Sequence, residues 1–125
     1  MKTWWLNINY KGIVIAGHGI AGVIAQYLSI SLKNRAAERN IMCYNFGTPK
    51  PGNYIYEKVF EMSQVDLCHM YIEDDPYIEL PYKNQYPSYK RLVTEKKIKI
   101  KNNGYKEHHH IDVYLKNINN FLINF

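Results

Sequence analysis

A six-residue turn, Gly17-His18-Gly19-Ile20-Ala21-Gly22, comes directly after the apolar run Gly12-Ile13-Val14-Ile15-Ala16. No other feature constrains the chain as strongly. Glycines at such a junction let a strand turn sharply into a helix, because they accept dihedrals that a Cβ resists. Two chemistries use this device. Read as G-x-G-x-x-G between strand and helix, the glycines shape a dinucleotide site, with the pyrophosphate held at the helix N-terminus. Read as the nucleophile elbow G-x-S-x-G, they shape a hydrolase turn in which Gly19 stands where the central serine belongs.

The nucleotide reading makes a demand that can be checked along the chain. An Asp or Glu should close the second strand, roughly 20 residues past the glycines, to bind the ribose hydroxyls. The second apolar run, Asn40-Ile41-Met42-Cys43-Tyr44-Asn45-Phe46, instead carries Asn45 near its end. Glu38 precedes that strand, within the charged linker Arg35 to Arg39. A nucleotide- or flavin-binding module using Gly17, Gly19 and Gly22 therefore stands as the alternative reading.

The residues beyond the second run favour the hydrolase. Phe46-Gly47-Thr48-Pro49-Lys50-Pro51-Gly52-Asn53 resembles the F-G-S-P-R-V-G-N segment of class 3 (fungal-type) lipases. Asp74-Asp75-Pro76-Tyr77-Ile78-Glu79-Leu80-Pro81 is similar to that family's N-D-P-V-P-R-L-P stretch, which carries its catalytic aspartate. His110-Ile111-Asp112-Val113-Tyr114-Leu115 is similar to its H-x-x-x-Y-L segment, which carries the histidine. With the elbow, four segments stand in the family's order, over residues 12–81 and 108–121.

The resemblance implies an α/β-hydrolase fold with a mostly parallel sheet flanked by helices. Residues 1–125 would form a single lipase-like domain matching the family's C-terminal half, from the elbow strand onward. It also implies hydrolysis of acylglycerol or related carboxylic esters through a Ser-His-Asp triad. Carried over residue by residue, Gly19 takes the nucleophile position with its serine lost, His110 the base and Asp75 the orienting acid. The backbone N–H of Ile20 becomes an oxyanion donor. Gly19 has no side chain to attack with, and Ser29 and Ser31 lie two to three helical turns away. The family's N-terminal half, with its oxyanion loop, has no counterpart. The chain is thus expected to be inactive as an esterase, a pseudoenzyme that takes a lipid, ester or protein ligand. Each residue also has a plainer reading: Gly19 as a turn glycine, Asp75 before Pro76 as a turn or N-cap residue, His18 as packing.

Composition agrees with a folded domain. Of 125 residues, 46% are hydrophobic, and the net charge of +5 gathers partly in the lysines from Lys96 to Lys106. A charge run of that kind is ordinarily a solvated face, and no nucleic-acid module pattern accompanies it, so no nucleic-acid partner is expected. Neighbouring side chains of His108-His109-His110 alternate in direction, and no Cys or carboxylate cluster joins them, so neither a metal nor a cofactor is expected. Cys43 and Cys68 lie in apolar runs and read as buried thiols. The start, with Trp4-Trp5-Leu6, is too short for a signal peptide. No run of about 18 apolar residues offers a membrane span, so an intracellular protein is expected.

Strand and helix patterns alternate, as in parallel-sheet proteins. Strands are predicted at Ile13 to Ala16, covered on both faces, at Ile41 to Phe46, at Val65 to Ile72, and at Lys97 to Lys101 as a lysine-guarded edge. Ile20, Val23, Ile24, Tyr27, Leu28 and Leu32 predict a core-facing helix ending near Lys33, and Ile55, Val59 and Met62 a second, with Tyr54 to Tyr56 in the core. Ile111, Tyr114, Leu115, Ile118 and Leu122 predict a third. A sheet that starts at the elbow strand has a free edge there, which invites self-association or a protein partner.

Overall fold

Four parallel strands, each leading into a loop at the same sheet edge, set the architecture. The computed structural model describes residues 12–123; the Trp4-Trp5-Leu6 run lies outside them. The order is β1 (Gly12–His18), α1 (Ile20–Arg35), β2 (Asn40–Phe46), α2 (Tyr54–Ser63), β3 (Asp66–Ile72), β4 (Lys96–Ile100) and α3 (Ile111–Ile123). A 3₁₀ turn at Pro76–Glu79 comes after β3. The strands pair side by side in sequence order, β1-β2-β3-β4, all parallel. The alternating strand and helix pattern required this, since a parallel neighbour needs a crossover long enough to return the chain.

Strand alternation then splits the core in two. Ile41, Cys43 and Leu67 pack with Ala25 of α1 and Phe60 of α2 on one face. Ile72 and Phe46 pack with Val113, Tyr114 and Ile118 of α3 on the other. Both thiols are buried and free, as expected. Lysines 96, 97 and 99 of the edge strand β4 are exposed while Ile100 is buried, so the period-two reading holds.

The helical faces differ from expectation. Gly22, Val23, Ala25, Gln26 and Ser29 form the buried side of α1, while Ile20, Ile24, Tyr27 and Leu28 are exposed, Ile24 at 61%. Close approach to the sheet is the cause. A Cβ on Gly22 would overlap Thr48, and one on Gly17 would overlap the backbone at Ala21, so only small residues fit between helix and strand. Periodicity located the helix, but side-chain size chose the face. In α2 Tyr54 and Ile55, expected in the core, are likewise exposed, while Tyr56 packs against the core and Phe60 fills it. Asn53 caps this helix, accepting from the N–H groups of Ile55 and Tyr56. In α3, Val113, Tyr114 and Asn117 are buried and Ile111 and Leu115 exposed. Val14 is 67% exposed, so β1 is not covered on both faces among the described residues.

Candidate active site

Because the strands are parallel, the loops after β1, β2, β3 and β4 all emerge at the carboxyl edge, where open α/β sheets bind ligands. Gly19 is in the first loop, Gly47 and Thr48 in the second, Asp75 in the third and His109 in the fourth. Folding brings these loops together from distant parts of the chain.

Gly19 turns the chain from β1 into α1 at φ 61°, ψ −133°, a conformation that costs an L-residue strain. Its N–H donates to the Phe46 carbonyl at 2.9 Å, tying the turn to the end of β2. Ile20 is the first residue of α1, so its N–H belongs to the helix end that has no intrahelical acceptor.

The histidine beside this turn is His109, not His110. His109 Nδ1 lies 2.8 Å from Asp75 Oδ2, and its Nε2 faces Gly19, 3.0 Å from where a Cβ there would stand. His110 is turned to solvent, its side chain 62% exposed and 3.6 Å from Asp112. Its carbonyl accepts from the N–H groups of Val113 and Tyr114 at the start of α3. The displacement is one residue. In a non-helical segment consecutive side chains point to opposite sides, so one step between adjacent histidines exchanges the buried ring for the solvated one. The ring beside Asp75 and Gly19, expected at His110 from its spacing to Tyr114 and Leu115, is that of His109.

Three neighbours hold the His109 ring. Tyr77 stacks on it with ring centroids 4.0 Å apart, and His18 stacks on it at 4.7 Å. His18 Nε2 donates to the His109 carbonyl at 2.6 Å, which fixes its tautomer because a carbonyl can only accept. Burial lowers the His18 imidazole from its ordinary 6.5, against the opposing effect of that hydrogen bond. Asp75, the third neighbour, is fully buried at its side chain and fully partnered. Oδ2 also accepts from the Tyr114 hydroxyl at 2.6 Å, and Oδ1 from Tyr77 N at 2.9 Å, capping the 3₁₀ turn. One carboxylate thus both caps the 3₁₀ turn and meets the His109 ring. Burial first, then the bond to Asp75, pushes the Tyr114 phenol above its ordinary 10.0. Gly47 leaves room for this arrangement: at φ 57°, a Cβ would come within 2.5 Å of the Tyr114 hydroxyl.

Sequence reasoning passed over the support behind Thr48. Buried His69 accepts from Thr48 N–H at 2.9 Å through Nε2 and presents Nδ1 to the buried Glu95 at 3.5 Å. Arg91 donates to the carbonyls of Thr48 and Ile78, joining the second loop to the 3₁₀ turn. A lone histidine inside an apolar strand gave no warning of this network.

A groove of about 640 Å³ opens from Gly19 and His109, walled by Ile20, Val23, Ile24 and Tyr27 on one side and by Pro49, Leu80 and Pro81 on the other. The exposed apolar face of α1 is one wall of this groove. Among the described residues no cluster of His, Cys, Asp or Glu is arranged to hold a metal ion, and no helix is long and apolar enough to cross a membrane.

A parallel sheet flanked by helices, with its loops converging on an elbow-like turn, defines an α/β-hydrolase-like protein. The chain belongs to the lipase (class 3) family, whose profile matches residues 5–94. It is similar in fold to a lipase from Rhizopus microsporus var. chinensis, with a TM-score of 0.58 at 16% identity over 81% of this chain and 33% of that one. It is also similar to lipase II from Rhizopus niveus, with a TM-score of 0.54 at 17% identity over 58% of this chain and 29% of the other. The chain thus spans about a third of the length of these lipases. No curated protein sequence matches it.

Proposed function

We propose that this chain is a lipase relative without a nucleophile, corresponding to the family's C-terminal half, which binds an apolar ester or lipid ligand and does not turn it over through an acyl-enzyme. One observation carries the reading: the His109–Asp75 pair points Nε2 at residue 19, and residue 19 is glycine. Acyl transfer needs a hydroxyl at that spot, an imidazole to take its proton, and a carboxylate to hold the imidazole in the right tautomer. His109 and Asp75 have the geometry of the last two. Ser29 offers no substitute, because its hydroxyl is buried within α1 and donates to the Ala25 carbonyl at 2.7 Å. The groove walls supply the apolar surface that an acyl chain needs.

The test is hydrolysis of a short-chain nitrophenyl ester by the natural chain, Gly19→Ser, and Gly19→Ser combined with His109→Ala. The natural chain should be inactive. Gly19→Ser should regain a trace that His109→Ala abolishes. Full activity is not expected, since His109 must shift to admit a Cβ at 3.0 Å. Activity of the natural chain that disappears with His109→Ala would overturn the reading.

A further inference from the structure

The groove ends in an acceptor, and this selects among apolar ligands. Asp75 accepts the His109 Nδ1 proton, so the neutral ring presents a lone pair at Nε2. Among the described residues Nε2 has no hydrogen-bond partner, and Gly19 supplies no atom to give it one. The stack of Tyr77 and His18 keeps the ring aimed at the turn. Two polar groups along the groove are already engaged, Tyr27 with the Pro51 carbonyl at 3.0 Å and Lys50 with the Pro81 carbonyl at 3.3 Å. At the Gly19 end Nε2 calls for a donor and the Ile20 N–H, at the start of α1, for an acceptor, and one O–H group can meet both.

We infer that the groove binds an aliphatic chain ended by an O–H group, whose oxygen lies beside Gly19 and donates to His109 Nε2. The inference rests on the ligand-binding reading above and narrows it: the ligand brings the hydroxyl that residue 19 lacks. Esters and alkanes fill the groove equally well but have no proton to give, so they leave Nε2 unpaired. A long-chain alcohol and a fatty acid share the required group. They differ in proton balance. An alcohol binds with its own proton. A fatty acid, ionised in neutral solution, must take up one proton on its carboxyl to form the same bond.

Calorimetric titration of the full chain with octan-1-ol, octanoic acid and methyl octanoate separates the outcomes. The alcohol or the acid should bind about five- to tenfold tighter, relative to methyl octanoate, than it does to His109→Phe, the value of one net hydrogen bond. His109→Phe keeps a ring between Tyr77 and His18 while removing the acceptor. Gly19→Ser leaves His109 in place and offers Nε2 a competing hydroxyl, so it should weaken the O–H ligand by a similar factor and the ester less. Titration in two buffers of different ionisation enthalpy should show uptake of about one proton with the acid and none with the alcohol. A preference over the ester that survives both variants, or no preference in the natural chain, overturns this inference and leaves apolar-ligand binding standing. Failure of all three compounds to bind overturns both.

Discussion

Tyr114→Phe isolates the polar link between the buried end of α3 and the Asp75 loop. The substitution keeps the ring, so packing changes little and the cost is that of one hydroxyl. That hydroxyl donates to Asp75 Oδ2 at 2.6 Å and accepts from the Ile72 N–H at 3.1 Å, in a residue 1% exposed. Losing a hydrogen bond to a charged group costs about 1.5–3 kcal/mol, and a buried N–H left unpaired costs about 1–3 kcal/mol. One oxygen makes both bonds, so the two costs overlap, and we expect a loss of about 2–4 kcal/mol. Against the roughly 5–15 kcal/mol of a typical domain this is a large fraction. Urea denaturation should show the midpoint falling at unchanged m-value. Leu115→Ala, an exposed position one residue on, should stay within about 0.5 kcal/mol of the natural chain. If Tyr114→Phe also falls within that margin, the hydroxyl does not hold Asp75 in place.

Gly22→Ala should cost about 1–3 kcal/mol in the same assay, because its Cβ would overlap Thr48, which is fully buried and cannot withdraw. His69 and His18 both have imidazoles lowered from 6.5, chiefly by burial. The unfolded chain therefore binds more protons below that value, so stability present above pH 6.5 should fall as the pH drops through the folded-state values. A melting temperature that does not decline between pH 7 and 5 would contradict this, and His69→Gln should flatten the decline. His109→Ala should destabilise by about 2 kcal/mol by removing a partner of the buried Asp75 carboxylate, while His110→Ala should be neutral. Adding Asp75→Asn to His109→Ala should cost less than the two separate losses combined, read from a double-mutant cycle.

The sheet was legible because strand runs and turn glycines are local signals: β1, β2, β3 and the lysine-guarded β4 all stand where the apolar runs placed them. The segments around Gly47 and Asp75 were legible for the same reason, since Gly-Thr-Pro and Asp-Asp-Pro can only be turns. Two things were not. The buried face of α1 runs through Gly22, Ala25, Gln26 and Ser29, residues that a hydrophobic pattern ranks low. It is chosen by how closely a helix may approach a sheet, a property of the partner surface rather than of the helix. The histidine was missed because three in a row satisfy nearly the same spacing, and the pattern could not say which ring turns inward. A glutamate offered the one signal: Glu107 accepts from the N–H groups of both His108 and His109, fixing the turn that aims His109 at Asp75.

A glycine at position 19 and the buried aspartate–histidine pair beside it need not share a cause. The Asp75 carboxylate is closed off from solvent and takes bonds from a ring of the fourth loop, a phenol of α3 and an N–H of its own turn. Removing any one of these leaves a buried charge short of a donor, a cost in stability whether or not the site does chemistry. Gly19 has the opposite energetics. A serine there bears the strain of φ 61° and crowds His109, so glycine at this turn relaxes the fold. Stability alone thus retains the histidine and the aspartate and favours the glycine, and a pair standing in catalytic geometry is not by itself a sign of catalysis. The groove is what carries the ligand-binding proposal, because a fold gains nothing from exposing Ile20, Ile24 and Tyr27 beside an imidazole nitrogen that no described residue pairs.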